Sequence, residues 1–126
     1  MEFWVRAAWL SLVLVHLMPS VVLFVPGMTE KLYQVSPDGD IGILTVHRGA
    51  LFLAVLAAAL YAAFSPAARR VASRVAGISV IGFLFVYARA GMPAGPLRTI
   101  AWVDLFAVLP LLLVTWQAWR KQPASI

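Results

Sequence analysis

Between Ile41 and Phe64 the chain reads IGILTVHRGALFLAVLAAALYAAF, an unbroken apolar run with His47, Arg48 and Gly49 near its start. A spanning helix needs about 20 apolar residues at ~1.5 Å rise per residue, and this run supplies that length. An arginine inside such a segment costs roughly 2.5–3.5 kcal/mol on insertion scales, so a partner or a water-filled cavity is expected for Arg48. Ala50, Ala54, Ala58 and Ala62 recur at four-residue spacing, the kind of small face along which helices approach closely. At ~100° per residue His47 falls near Ala54 and Ala58, which places it on that packed face.

Three further apolar runs accompany this one, at about 3–25, 71–90 and 99–119. The first is interrupted by Arg6, His16 and Pro19. It is too long for a cleaved leader and no A-x-A site follows it, so it reads as a retained helix. Pro19 is expected to kink that helix and free a carbonyl near His16. Residues 27–40 read as the longest loop, with a turn signal at Pro37-Asp38-Gly39. A basic connection containing Arg69, Arg70 and Arg74 follows Ser65-Pro66, and a Gly/Pro loop runs from Gly91 to Pro96. In the third run Gly77, Ser79 and Gly82 read as a second close-packing face. Short connections make successive helices antiparallel neighbours. The expected fold is an all-α membrane protein, one domain over residues 1–126 forming a four-transmembrane-helix up-down antiparallel bundle with helices at about 3–25, 41–64, 71–90 and 99–119.

Composition agrees: 63% of residues are hydrophobic, 12% are charged and mean hydropathy is +0.91, too little polar surface for a water-soluble domain of this size. The net charge of +5 comes from basic residues flanking the apolar runs. That pattern fits anchoring to membrane lipid rather than nucleic-acid binding. Arg6, Arg69, Arg70, Arg74, Arg120 and Lys121 fall on one side and Lys31 and Arg98 on the other, with Arg48 and Arg89 just inside helix ends. The excess puts both termini in the cytoplasm. With no cysteine, disulfide, thiolate-metal and cysteine-nucleophile chemistry are excluded.

In that orientation the buried polar residues gather in one leaflet. His47 and Arg48 lie near the outer end of the second span, Arg89 at the outer end of the third, and Asp104 early in the fourth, with Tyr33 and Tyr87 at similar depth. Asp104 shares a helix face with Ala107, Val108, Leu111, Thr115 and Ala118, which turns its carboxylate toward the bundle. It is the natural counter-ion of Arg48 or Arg89. Two arginines against one aspartate leave a guanidinium over, free to meet a carboxylate, a phosphate or a lipid headgroup, or to snorkel to the interface.

His16 sits deeper. Antiparallel neighbours can bring His16 and His47 to one level, as in bis-histidine haem b anchors, but no haem motif accompanies them and no cofactor is expected. His16, His47 and Asp104 form no local metal-ligand pattern. No Gly-rich phosphate loop, G-x-S-x-G, H-E-x-x-H or paired-carboxylate motif occurs, so the reading leans away from an enzyme. A His47–Asp104 base and orienter near Ser79 or Thr45 is chemically permitted, and nothing in the sequence singles it out. The candidate ligand-binding set is His47, Arg48, Arg89, Asp104 and His16. The expected function is binding of a small anionic or lipid-like ligand in an outward polar pocket. A structural subunit of a larger membrane complex, using its apolar surface for other subunits or self-association, is the alternative; a membrane enzyme or haem b carrier is a further one.

The stretch LTVHRGALFLAVLAAALYAAFSP and the later WVDLFAVLPLLL resemble a group of small bacterial four-helix membrane proteins. Its members carry an H-R-x-x-L-F-like motif opening helix two and a V-D near the start of helix four. The group has no settled function. Some members bear the label phosphopantetheine adenylyltransferase, a soluble nucleotidyl transferase whose T/H-x-G-H motif does not occur here. The outline is also similar to DoxX-like four-helix membrane proteins. The resemblance implies a bacterial inner membrane location and marks His47, Arg48 and Asp104.

Overall fold

Four long helices account for most of the chain in the computed structural model, which is described over residues 1–120. They are α1 (Glu2–Val21), α3 (Gly39–Phe64), α4 (Arg69–Arg89) and α5 (Pro96–Trp119); a short α2 (Met28–Tyr33) lies between the first two. A 3-10 turn at Pro66–Ala68 leads into α4. Each long helix, α4 taken with its turn, is long and apolar enough to cross a membrane. No strand occurs among the described residues, so the chain is an all-α membrane bundle, as the apolar runs require. Lys121, counted above among the basic residues, lies outside the described residues.

The helix ends follow local chemistry. α3 opens at Gly39, whose φ of 75° suits glycine, at the turn expected from Pro37-Asp38-Gly39. It closes where Ser65 turns extended ahead of Pro66. α5 starts on Pro96, where a missing N–H costs no helical bond. The stretch expected as one loop over 27–40 instead contains α2. Gln34 caps that helix at a φ of 57°, and the buried Thr29 donates from Oγ1 to the Val35 carbonyl at 2.6 Å.

α1 packs against α3 and α5, and α4 packs against the same two, so the helices form a ring in the order α1, α3, α4, α5. The two halves of the ring are built differently. Toward the end where α1 starts and α5 stops, Ala59, Ala62 and Ala63 of α3 and Ala72 and Ala76 of α4 close on Val5, Trp9 and Leu12 of α1. Small residues let the backbones approach there. That same end is fastened by Arg69, which is 2% exposed. Its Nη1 and Nη2 donate to both Glu2 carboxylate oxygens, at 3.1 and 2.6 Å, and its Nε donates to the Ala62 carbonyl at 2.8 Å. Arg69 is therefore a clamp between the start of α1 and the last turn of α3, rather than the headgroup anchor expected of it. The outward faces carry Leu14, Ile43, Leu51, Ile78, Phe106 and Leu109, all exposed, as lipid contact demands.

Toward the other end α1 and α3 meet at Gly49. A Cβ there would stand 2.9 Å from the Leu23 nitrogen and 3.3 Å from the Pro19 carbonyl oxygen. The close-packing face of α3 thus runs through Gly42, Gly49, Ala59 and Ala63, all buried; of the expected stripe Ala62 is buried and Ala58 packs against the core, whereas Ala54 is exposed. Gly77 and Gly82 of α4 are likewise no close-packing face, because a Cβ at either would meet nothing within 4 Å.

Candidate functional site

A cavity of about 290 Å³ occupies the half of the bundle that the alanines leave open. α1 contributes His16, α3 contributes Arg48 and α5 contributes Asp104; Tyr33 of α2 closes the set. The remaining wall is mostly apolar, including Val15, Phe52, Phe83 and Val103. An apolar pocket with a few convergent polar groups is the usual form of a small-ligand site.

His16 is 2% exposed and fixed at both ring nitrogens. Nδ1 lies 2.8 Å from the Leu12 carbonyl, which can only accept, so Nδ1 carries the proton. In the neutral ring Nε2 then accepts from the Ser79 hydroxyl, 2.8 Å away on α4. Each long helix therefore gives one polar side chain to this level: His16, Arg48, Ser79 and Asp104.

Arg48 is held by faces rather than by acceptors. Its guanidinium carbon stands 4.8 Å from the Phe52 ring centre and 5.9 Å from those of Tyr33 and Phe83. Ring faces attract a cation while leaving its in-plane N–H groups open. Among the described residues Arg48 makes no side-chain hydrogen bond and no direct ion pair; the direct ion pairs belong to Glu2, with Arg69 and with Arg6. Asp104, 8% exposed, also lacks a hydrogen bond or a direct ion pair with any described residue. Burial of the Tyr33 phenol, outside the spanning helices, pushes its pKa above the ordinary value, and the nearby Arg48 charge pulls it back only partly. At neutral pH Tyr33 is an uncharged donor at the cavity wall.

These positions correct part of the sequence reading. Asp104 does face inward with Ala107, Val108 and Leu111, but it forms no direct pair with Arg48 or Arg89. Arg48 is drawn among three rings instead, and Arg89 is exposed in the last turn of α4, outside the cavity wall. His47 is exposed and does not line the cavity. Packing through Gly49 turns the preceding residue, Arg48, inward, and the ~100° step carries His47 away. His16 and His47 consequently do not share the cavity, so the bis-histidine arrangement is not formed. Ser79 is bound to His16, and Thr45 Oγ1 donates to the Ile41 carbonyl of its own helix at 2.7 Å, so neither serves a His47–Asp104 pair. No cluster of three His, Cys, Asp or Glu among the described residues is placed to hold a metal ion.

Phe52 and Phe83 were missed as site residues. Phe52 was within reach of sequence reasoning, because it stands one helical turn after Arg48. Phe83 comes from another helix, and no spacing rule would find it. Behind these rings an apolar groove of about 730 Å³ runs between α3 and α4, lined by Leu51, Val55, Ile78 and Val86 and closed at one point by Arg48, Phe52 and Phe83. Arg48 thus borders both spaces. Compared with protein-family models, with curated proteins and with solved structures, the chain gives no match.

Proposed function

We propose that this chain is a membrane-embedded binding protein for an amphiphile whose oxyanion head enters the cavity at Arg48 and whose apolar tail lies in the α3–α4 groove. One observation carries the reading: Arg48 borders both the cavity and the groove, and its N–H groups have no acceptor among the described residues. A guanidinium so placed is suited to phosphate or carboxylate, and the ring faces around it exclude water without consuming its donors. The chemistry is binding; no covalent step is assigned. The dipeptides His47-Arg48 and Val103-Asp104, which carry the resemblance to small bacterial four-helix membrane proteins, also contain the cavity's charged pair.

The proposed setting is a bacterial inner membrane with both termini cytoplasmic, so that the cavity opens toward the outer leaflet. Arg6, Arg70, Arg74 and Arg120 at one end of the bundle, against Lys31, Arg89 and Arg98 at the other, support that orientation. Purification in a neutral maltoside detergent followed by native mass spectrometry tests the function. The wild-type chain should retain an oxyanion-headed amphiphile, and Arg48→Gln should lower its occupancy by about tenfold or more, the loss of one charge-assisted contact. Equal occupancy in the two proteins would overturn the proposal.

A further inference from the structure

Arg48 and Asp104 pose a question that binding of a simple anion leaves open. They carry opposite charges, line one partly enclosed cavity and make no direct pair with each other. Asp104 is more than nine-tenths buried and has no hydrogen-bond donor from any described residue. The arrangement holds both side chains in place without satisfying either. Arg48 is retained by the Phe52 and Tyr33 rings, and Asp104 by its position on the buried face of α5 beside Ala101 and Ala107.

A bare phosphate would serve Arg48 and be repelled by an ionised Asp104. A bare amine would have the converse difficulty. A head bearing both charges satisfies the two residues together, because each buried charge then receives its opposite. The volume is adequate: about 290 Å³ corresponds to about ten waters at ~30 Å³ each, enough for a phosphate and a short amine arm. His16 is no competitor for the amine, since Nε2 is occupied by Ser79 and Nδ1 by Leu12. Tyr33 adds an uncharged donor for a remaining oxyanion oxygen.

Resting on the binding function proposed above, we infer that the ligand head is zwitterionic: a phosphate held by Arg48 with a primary ammonium held by Asp104. The chemistry is that of a phosphoethanolamine group, whether free or as the head of a lipid.

Titration of the purified chain in neutral maltoside detergent tests this, with lysophosphatidylethanolamine, lysophosphatidic acid of the same acyl chain, and free phosphoethanolamine as probes. Wild-type protein should bind the ethanolamine lipid about tenfold or more tightly than the lysophosphatidic acid, as a charge-assisted contact implies. Asp104→Asn should bring the two lipids to within about twofold of each other, and Arg48→Gln should weaken both. Free phosphoethanolamine binding as well as the lysolipid assigns the site to a soluble zwitterion; its failure to bind while the lysolipid binds assigns it to a lipid. If the wild-type protein binds both lysolipids equally, or prefers lysophosphatidic acid, with Arg48→Gln weakening both, the zwitterion is wrong and the oxyanion site stands. If Arg48→Gln changes neither affinity, both readings fall. The comparison of probes on wild-type protein needs no variant, so a poorly folding Asp104→Asn leaves the result decisive.

Discussion

His16 Nε2 and Ser79 Oγ lie 2.8 Å apart across the diagonal of the bundle, tying α1 to α4 although each packs mainly against α3 and α5. The bond joins the two helices across the open half of the ring. Interhelical hydrogen bonds in membranes are worth about 0.6 kcal/mol on average and seldom exceed about 1.7. Ser79→Ala should therefore cost about 1 kcal/mol in detergent unfolding. His16→Phe combined with Ser79→Ala should cost less than the sum of the two changes, and strict additivity would show that the bond contributes nothing.

The Arg69 clamp predicts an asymmetry. Glu2 is half exposed, whereas Arg69 is buried and also serves the Ala62 carbonyl. Glu2→Gln keeps an acceptor in place and should cost about 1 kcal/mol. Arg69→Leu removes several charge-assisted bonds and should cost about 2–3 kcal/mol. Arg69→Lys should recover little of this, since an ammonium lacks the planar fork that meets both Glu2 oxygens. Unfolding titrations of the three variants give the order directly.

Two glycines should respond oppositely to the same substitution. Gly49→Ala drives a methyl into the backbone at Leu23, just beyond α1, and should destabilise by about 1–3 kcal/mol. Gly77→Ala meets open space within a helix and should raise stability by up to about 1 kcal/mol. A destabilised Gly77→Ala would mean that α4 faces protein there rather than lipid.

The proposed orientation can be read by labelling, because the natural chain has no cysteine. Ser36→Cys, in the connection between α2 and α3, should react with an impermeant thiol reagent in intact spheroplasts, and Ser125→Cys should react only after lysis. The reverse pattern would invert the topology and place the cavity toward the cytoplasm.

The spans were legible because length and apolarity alone decide them, as the fit of α3 and α5 to their apolar runs illustrates. The rotation of each helix was harder. Lipid tails are as apolar as leucine, so an inward alanine and an outward one look alike in the sequence, and the regular stripe gave the inward direction at Ala58 and Ala62 but not at Ala54. Polar residues did carry it: a buried carboxylate has few places to go, and Asp104 faces inward as its face predicted. His47 and Arg48 were both polar and adjacent, so the same argument could not choose between them; the choice rests on Gly49 against Pro19 and Leu23, a contact between distant residues. The six-residue α2 is too short to show a period at all.

The Arg69 clamp also sets an order of assembly. Glu2 is synthesised ahead of its partner, which follows 67 positions later. Until Arg69 is made, the start of α1 is held only by its packing on the α3 alanines and by the Glu2–Arg6 pair, and α3 must already be complete because its Ala62 carbonyl is part of the same joint. The closing contact is thus one of long sequence separation, of the kind that forms late. A nascent chain halted before residue 69 holds two spanning helices that pack on each other without the buried ion pair. The joint between the first and third spans waits on the first residue of the third.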